Sequence, residues 1–238
     1  MRLRIAFAGT FAAHLVEPVR ARLDVPCDVV TGDEAGIVTG LADVDVLVTL
    51  AFTGEMGAVA RRLRLVQVPG AGVDRIDRAA LPAGTHLANA YAHETGIAEY
   101  VLGAILALRR ELARLDAALR HGSWASQWAV GLAAPPVWPE LTGRTLGILG
   151  YGRIGQEVAR RARAFGMDVL AVRRDPARPD PHGVASVRGP DAVDEVVARA
   201  DVLVVALPLT PETRGLLDAR RLGAMKRTAI LVNVSRAQ

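Results

Sequence analysis

Apolar and polar positions follow two rhythms along this chain, and the rhythm switches repeatedly. Short apolar runs of strand length stand at Leu3–Ala8, Cys27–Thr31, Asp45–Leu50, Leu65–Val68 and His86–Ala88. Between them, Phe11–Leu23 and Gly54–Leu63 carry apolar residues at helical spacing. Alternation of this kind predicts a parallel sheet with helices on its faces. A longer helix is predicted over Glu94–Leu119. There Ile97, Val101, Ile105 and Leu108 keep one face apolar, and Glu111–Arg114 continues the period. Arg120–Thr142 reads as loop and holds Trp124, Trp128 and Trp138, which are expected to pack the loop or a contact between chains. A second series opens at Thr145–Leu149. It runs through Val169–Val172, a weak strand near Val184–Val187, Val202–Leu207 and Ala229–Val234. Asp175–Gly183 is a Pro-rich surface loop. Thr210 before Pro211 has the N-cap and first-turn chemistry of a helix start.

The start of the second series carries the most specific chemistry. Gly150-Tyr151-Gly152-Arg153-Ile154-Gly155 follows a strand and opens a helix on which Ile154, Val158, Ala159, Ala162 and Phe165 recur. Gly166 stops that helix and a second strand follows. In a dinucleotide-binding unit, Gly150 permits the tight turn, Gly152 admits a pyrophosphate, and Gly155 lets helix and strand pack closely. The helix start adds unpaired N–H groups and a positive dipole end, with Arg153 and Ile154 facing the cofactor. A G-x-G-x-x-G in this context is far stronger evidence than the bare pattern. The predicted fold class is α/β, with two Rossmann or flavodoxin-like parallel-sheet domains. They are divided as 1–93 and 94–238, and the second is expected to be incomplete at its C-terminus. An acidic residue about 20 positions beyond the glycines usually takes the ribose 2′-hydroxyl. Here Arg173 stands in that place and Arg174 follows. A guanidinium would bind a 2′-phosphate, so NADP is expected in preference to NAD.

Composition narrows the classes. One cysteine, Cys27, leaves no internal disulfide and no Cys-rich metal site. The longest apolar stretch, Ile97–Leu108, is shorter than the ~20 residues of a bilayer span. Arg2 and Arg4 before Ile5–Ala13 mimic a signal peptide, but Leu3–Ala8 followed by Gly9 fits a strand opening a βα unit. A cytoplasmic protein with no membrane partner is expected. The net charge is +4, and its cations are almost all Arg, with Lys226 the one lysine. They are spread among Asp and Glu rather than massed in a patch, so no nucleic-acid partner is expected.

Four stretches together resemble the D-isomer-specific 2-hydroxyacid dehydrogenases: Val66–Asp77, Ile97–Arg109, Leu141–Arg174 and Ala200–Arg236. The resemblance implies hydride transfer between a nicotinamide cofactor and a small 2-oxo or 2-hydroxy acid, in a homodimer. It implies that Arg236, after Asn233, Val234 and Ser235, is the catalytic arginine, holding the substrate carboxylate and polarising the C2 oxygen. It makes Gly70, Ala71, Gly72 and Val73 the substrate-carboxylate loop, whose N–H groups would form an anion-binding concavity. Asp74 there reads as a bracing residue. Leu207, Pro208, Thr213, Val234 and Ser235 resemble the cofactor-side contacts.

The family's Glu and His lie downstream of the arginine, and Ala237 stands where the family usually has Gly. None of His14, His86, His93, His121 and His182 matches the family's motif. The chain is therefore expected to be C-terminally truncated. A non-catalytic dinucleotide-binding module or remnant is the alternative to an enzyme.

Overall fold

The computed structural model describes residues 2–124, 138–183 and 185–237. It divides into two compact units, Met1–Ala92 and His93–Gln238.

In the first unit, β1 (Leu3–Ala8), β2 (Cys27–Gly32), β3 (Val46–Thr49), β4 (Leu65–Val68) and β5 (His86–Asn89) form a parallel sheet in the order β2-β1-β3-β4-β5. This is the flavodoxin-like order, with its switch point between β1 and β3. Helices α1 (Thr10–Ala13) and α2 (Val16–Arg20) lie in the chain between β1 and β2. Leu15, Val16 and Val19 pack with Ile5, Phe7 and Val48. A 3₁₀ segment at Gly36–Asp43 and α3 (Gly54–Val59) bring Ile37, Leu41 and Met56 to a second cluster with Leu47 and Val66. Both faces are thus covered, which is why these strands read as continuous apolar runs.

The second unit opens with α4 (Glu94–Arg109) and α5 (Leu112–Arg120). Its sheet contains β6 (Thr145–Leu149), β7 (Asp168–Val172), β8 (Ser186–Arg188), β9 (Val202–Val205) and β10 (Ile230–Asn233), ordered β10-β9-β6-β7-β8 and all parallel. This is the Rossmann order through five strands, with its switch point between β6 and β9. Helix α6 (Arg153–Ala164) packs with α4 on one face, and α7 (Val193–Arg199) covers the other. The last helix, α8 (Ala219–Ala224), precedes β10.

Three helix expectations need correction. Phe11–Leu23 is two short helices, because Pro18 has no N–H to donate and its ring clashes with the carbonyl four residues back. Glu94–Leu119 breaks at Glu111, which takes a left-handed conformation at φ 51. Ile105 is the last fully buried residue of α4, Leu108 is exposed, and α5 buries none of its residues. A straight continuation would therefore gain no burial. Thr210-Pro211 starts only a single turn. The Thr213 hydroxyl donates to the Pro208 carbonyl, and Gly215 at φ +66 ends the turn. The next regular helix is α8, capped by the Asp218 carboxylate accepting from the Arg221 N–H at 2.8 Å. Trp128 and Val184 lie outside the described residues.

One carboxylate stands at the foot of each switch point. Asp45 accepts from the Arg4 N–H at 3.0 Å and from Arg62 at 3.0 Å. Asp201 accepts from the Thr145 N–H at 2.8 Å and from Lys226 at 3.0 Å. Both residues are buried. The Arg4 N–H is the largest influence on Asp45 and, with Arg62, holds it below the ordinary 3.8. Burial raises Asp201, but the Thr145 N–H, Lys226 and Arg144 outweigh it and leave its carboxyl lowered too. Their stabilisation is present above pH 3.8 and is lost as the pH falls through the lowered values. Asp201→Ala is expected to cost roughly 2 kcal/mol and to flatten the acid limb of a urea-unfolding series. An unchanged acid limb would show that the pair is not clamped.

Candidate functional site

The C-terminal ends of parallel strands share one sheet edge, where open α/β sheets bind ligands. In the second unit that edge is shaped first by glycines. Gly150 has φ +101, and a Cβ there would lie 2.5 Å from the Ala206 carbonyl oxygen. The Gly150 and Tyr151 N–H groups both donate to the Val172 carbonyl at 3.0 Å, which pins the turn to the end of β7. A Cβ on Gly155 would lie 2.4 Å from the Gly150 carbonyl oxygen, so α6 begins hard against the turn. At Gly152, the N-cap of α6, the space a Cβ would occupy is open. The helix ladder starts with the Gln156 N–H on the Gly152 carbonyl at 2.9 Å. The N–H groups of Arg153, Ile154 and Gly155 therefore have no acceptor within the helix. Arg153 is exposed, and Ile154 is half-buried against the core. The donors and the open space beside Gly152 fit a pyrophosphate.

Arg173 follows β7 directly and is only 9% exposed. All three nitrogens of its guanidinium are buried without a hydrogen-bond partner among the described residues. Its Cζ stands 5.8 Å from the centroid of the Tyr151 ring, within cation–π range. Tyr151 is itself buried. Burial, and then the Asp180 carboxylate beside it, push its hydroxyl above the ordinary phenol range, while Arg173 acts in the opposite sense. Arg174 is exposed. The Thr210 hydroxyl holds the Glu212 carboxyl low, and the Arg174 charge adds to this.

That loop presents Leu207 half-buried and Pro208 exposed. The Thr213 hydroxyl accepts from the Thr210 N–H at 2.8 Å and donates to the Pro208 carbonyl at 2.7 Å, so it braces the loop itself. At the end of β10, the Val234 N–H donates to the Val205 carbonyl at 3.0 Å and the Ser235 hydroxyl to the same carbonyl at 3.1 Å. Asn233 accepts from the Ser235 N–H at 2.9 Å and donates to the Arg236 carbonyl at 2.8 Å. This turn presents Arg236 exposed at the same sheet edge as the glycines.

In the first unit, Gly70, Ala71, Gly72 and Val73 follow β4. The Gly70 carbonyl accepts from the Ala90 N–H at 3.0 Å, and the Ala71 carbonyl from the Asn89 side chain at 2.9 Å. A trans peptide directs its N–H opposite to its carbonyl. The N–H groups of Ala71 and Gly72 are therefore turned away from β5, as an anion-binding turn requires.

The histidines are placed otherwise. His14 and His121 bond backbone carbonyls of their own helical turns at 2.7 and 2.8 Å. His86 opens β5 at the opposite sheet edge, and His93 precedes α4. His182 lies 3.9 Å from Glu157. Among the described residues no cluster of His, Cys, Asp and Glu could hold a metal ion, and no helix is long and apolar enough to cross a membrane.

With this geometry in place, comparison with known proteins is decisive. A family model for the D-isomer specific 2-hydroxyacid dehydrogenase, NAD binding domain, matches residues 102–238. The chain belongs to this family. It is similar to a D-3-phosphoglycerate dehydrogenase of Methanocaldococcus jannaschii, at 37% identity over 82% of this chain and 37% of that one. It is similar to a glyoxylate reductase of Thermococcus kodakarensis, at 36% identity over 82% of this chain and 60% of that one. The chain thus spans less than two thirds of the length of either relative. A solved D-isomer specific 2-hydroxyacid dehydrogenase family protein from Aeromonas salmonicida superposes with a TM-score of 0.80. That match has 29% identity and covers 99% of this chain and 73% of that one.

Gly150–Gly155, Arg173, Leu207, Pro208, Val234, Ser235 and Arg236 stand at or after the ends of β6, β7, β9 and β10, and Gly70–Val73 follow β4 in the first unit. The sequence pattern assigns no role to Tyr151 or Asp180, because the glycine motif leaves its second position open and Asp180 belongs to no motif. Their signal was a ring between two glycines and an acid in a Pro-rich loop. Gly155→Ala is expected to force α6 off the Gly150 carbonyl, an overpacking cost of roughly 1–3 kcal/mol. Dinucleotide affinity should fall about tenfold or more in a fluorescence titration. Unchanged affinity would remove Gly155 from the site.

Proposed function

We propose that this chain acts as the coenzyme-binding and carboxylate-recognising part of an NADP(H)-preferring oxidoreductase for small 2-oxo and 2-hydroxy acids. The observation that carries the reading is Arg173. An arginine stands where the usual ribose-binding carboxylate would repel a 2′-phosphate, and its buried fork has no hydrogen-bond partner among the described residues. Burying an unpaired charge costs several kcal/mol after relaxation, about what a bound anion would recover. Arg174 adds a second, exposed cation. The N–H groups at Arg153–Gly155 and the opening at Gly152 would hold the pyrophosphate, and Leu207, Pro208, Val234 and Ser235 would flank the nicotinamide side. When bound, the cofactor supplies or accepts a hydride at the substrate's C2.

The remaining roles are assigned unit by unit. The N–H groups of the Gly70–Val73 turn would bind a carboxylate. Arg236 would polarise the C2 oxygen with a fixed, always-charged fork. A homodimer accounts for the exposed apolar side chains Tyr100, Leu108, Leu112, Leu119 and Trp124 on and after α4 and α5.

Two outcomes test this reading. The chain should bind NADPH more tightly than NADH, and Arg173→Asp should reverse the order. Equal affinities that ignore the substitution would refute the cofactor assignment. Turnover of glyoxylate, hydroxypyruvate or pyruvate by these 238 residues should be slight even with NADPH. Among the described residues no histidine stands at the end of β10, and a positioned general acid contributes ~10²–10⁴-fold. Brisk turnover would mean that another group donates the proton, and His93→Ala and His121→Ala would then identify it.

A further inference from the structure

We propose that Tyr151 is a positioning residue for cofactor selectivity, holding the Arg173 guanidinium in place and keeping it from pairing with Asp180. The inference rests on the NADP(H) reading above and names how the site keeps that preference. The ring face meets the cation, with Cζ 5.8 Å from the centroid. The Asp180 carboxylate stands beside the hydroxyl end, and the hydroxyl has no hydrogen-bond partner among the described residues. Asp180 is fixed in turn by its loop. Its two carboxylate oxygens accept from the N–H groups of His182 and Ala185, each at 3.1 Å. Tyr151 is fixed from behind, by its own N–H on the Val172 carbonyl at 3.0 Å.

A buried arginine and a carboxylate that both stand beside one side chain would ordinarily pair, because a bidentate guanidinium–carboxylate contact is among the strongest polar contacts available. Here the three Arg173 nitrogens have no hydrogen-bond partner among the described residues. An arginine neutralised by Asp180 would have neither the charge nor the free fork to take a phosphate. The aromatic ring compensates the cation only in part, since a cation–π contact is weaker than a charge-assisted hydrogen bond. The fork thus remains available to an added anion. Residue 151 also stands inside the glycine turn, so the device that selects the 2′-phosphate is built into the segment that would receive the pyrophosphate.

Calorimetric titration of the 238-residue chain with adenosine 2′,5′-bisphosphate and with adenosine 5′-monophosphate isolates the 2′-phosphate. The wild-type chain should favour the bisphosphate by about tenfold or more, the scale of a charge-assisted contact. Tyr151→Phe keeps the ring and should keep the ratio within about twofold. Tyr151→Leu should lower the ratio by roughly five- to tenfold while leaving the monophosphate affinity nearly unchanged. Adding Asp180→Asn to Tyr151→Leu should restore much of the lost ratio. A ratio that survives Tyr151→Leu, or a loss that Asp180→Asn does not repair, overturns the inference and leaves the cofactor reading intact. If Tyr151→Leu loses both ligands, Tyr151→Met, of similar reach without a ring, is read in its place by the same two criteria. A wild-type chain with no preference refutes the cofactor reading itself, and this inference with it.

Discussion

Each sheet is locked at its foot by one buried aspartate that answers a backbone N–H across the switch point. In the first unit Arg4 and Asp45 exchange bonds, the Arg4 N–H reaching the carboxylate and the Asp45 N–H reaching the Arg4 carbonyl at 2.9 Å. In the second, Thr145 and Asp201 repeat the pattern, with the return bond at 2.8 Å. The partners are 41 and 56 residues apart, so no local turn could set their alignment. A one-residue slip would carry every side chain to the wrong face. In the second unit the glycine turn depends on this register. Gly150 clears the Ala206 carbonyl only because β6 and β9 run side by side with Leu149 opposite Val205. The clamp at one end of the sheet therefore sets the geometry of the ligand edge at the other.

The two aspartates also show how the units resemble each other below the level of motif. Asp45 precedes Val46-Leu47-Val48, and Asp201 precedes Val202-Leu203-Val204. Both carboxylates take a cation from a following segment, Arg62 or Lys226. The repetition was present in the sequence as Asp-Val-Leu-Val, twice. It read simply as the start of a strand, since nothing in an apolar run says which backbone N–H an adjacent acid will reach.

Strands were legible because a strand buried on both faces is a near-continuous apolar run: β9 is apolar throughout, and β1, β3, β6 and β7 each carry one polar residue, Arg4, Thr49, Thr145 and Asp168, at or next to an end. Helix extents were less so. Apolar spacing continues through Leu108 and Leu112, but those residues are exposed because the fold offers them nothing to cover. Periodicity reports what a helix could bury, and tertiary packing decides what it does bury. Thr210-Pro211 failed for a related reason. Its capping chemistry is real, but the Thr213 hydroxyl serves the loop and Gly215 stops the turn before a helix can propagate.

The site was legible where chemistry requires a particular residue type, and obscure where it requires only an environment. A turn with φ +101 pressed against a carbonyl needs glycine, so the glycines announced themselves. Arg173 announced its position but not its surroundings. An exposed arginine at the end of β7 would be unremarked, since it is solvated whether or not a ligand comes. A buried one is different. If it served stability alone, the low-cost solution would be to pair it with a nearby acid, as the chain does on its surface with Arg220, Arg221 and Asp194. Leaving the guanidinium buried and unpaired, with Asp180 close to the same tyrosine, is costly for a folded chain. It is the arrangement that the 2′-phosphate of the proposed cofactor would complete.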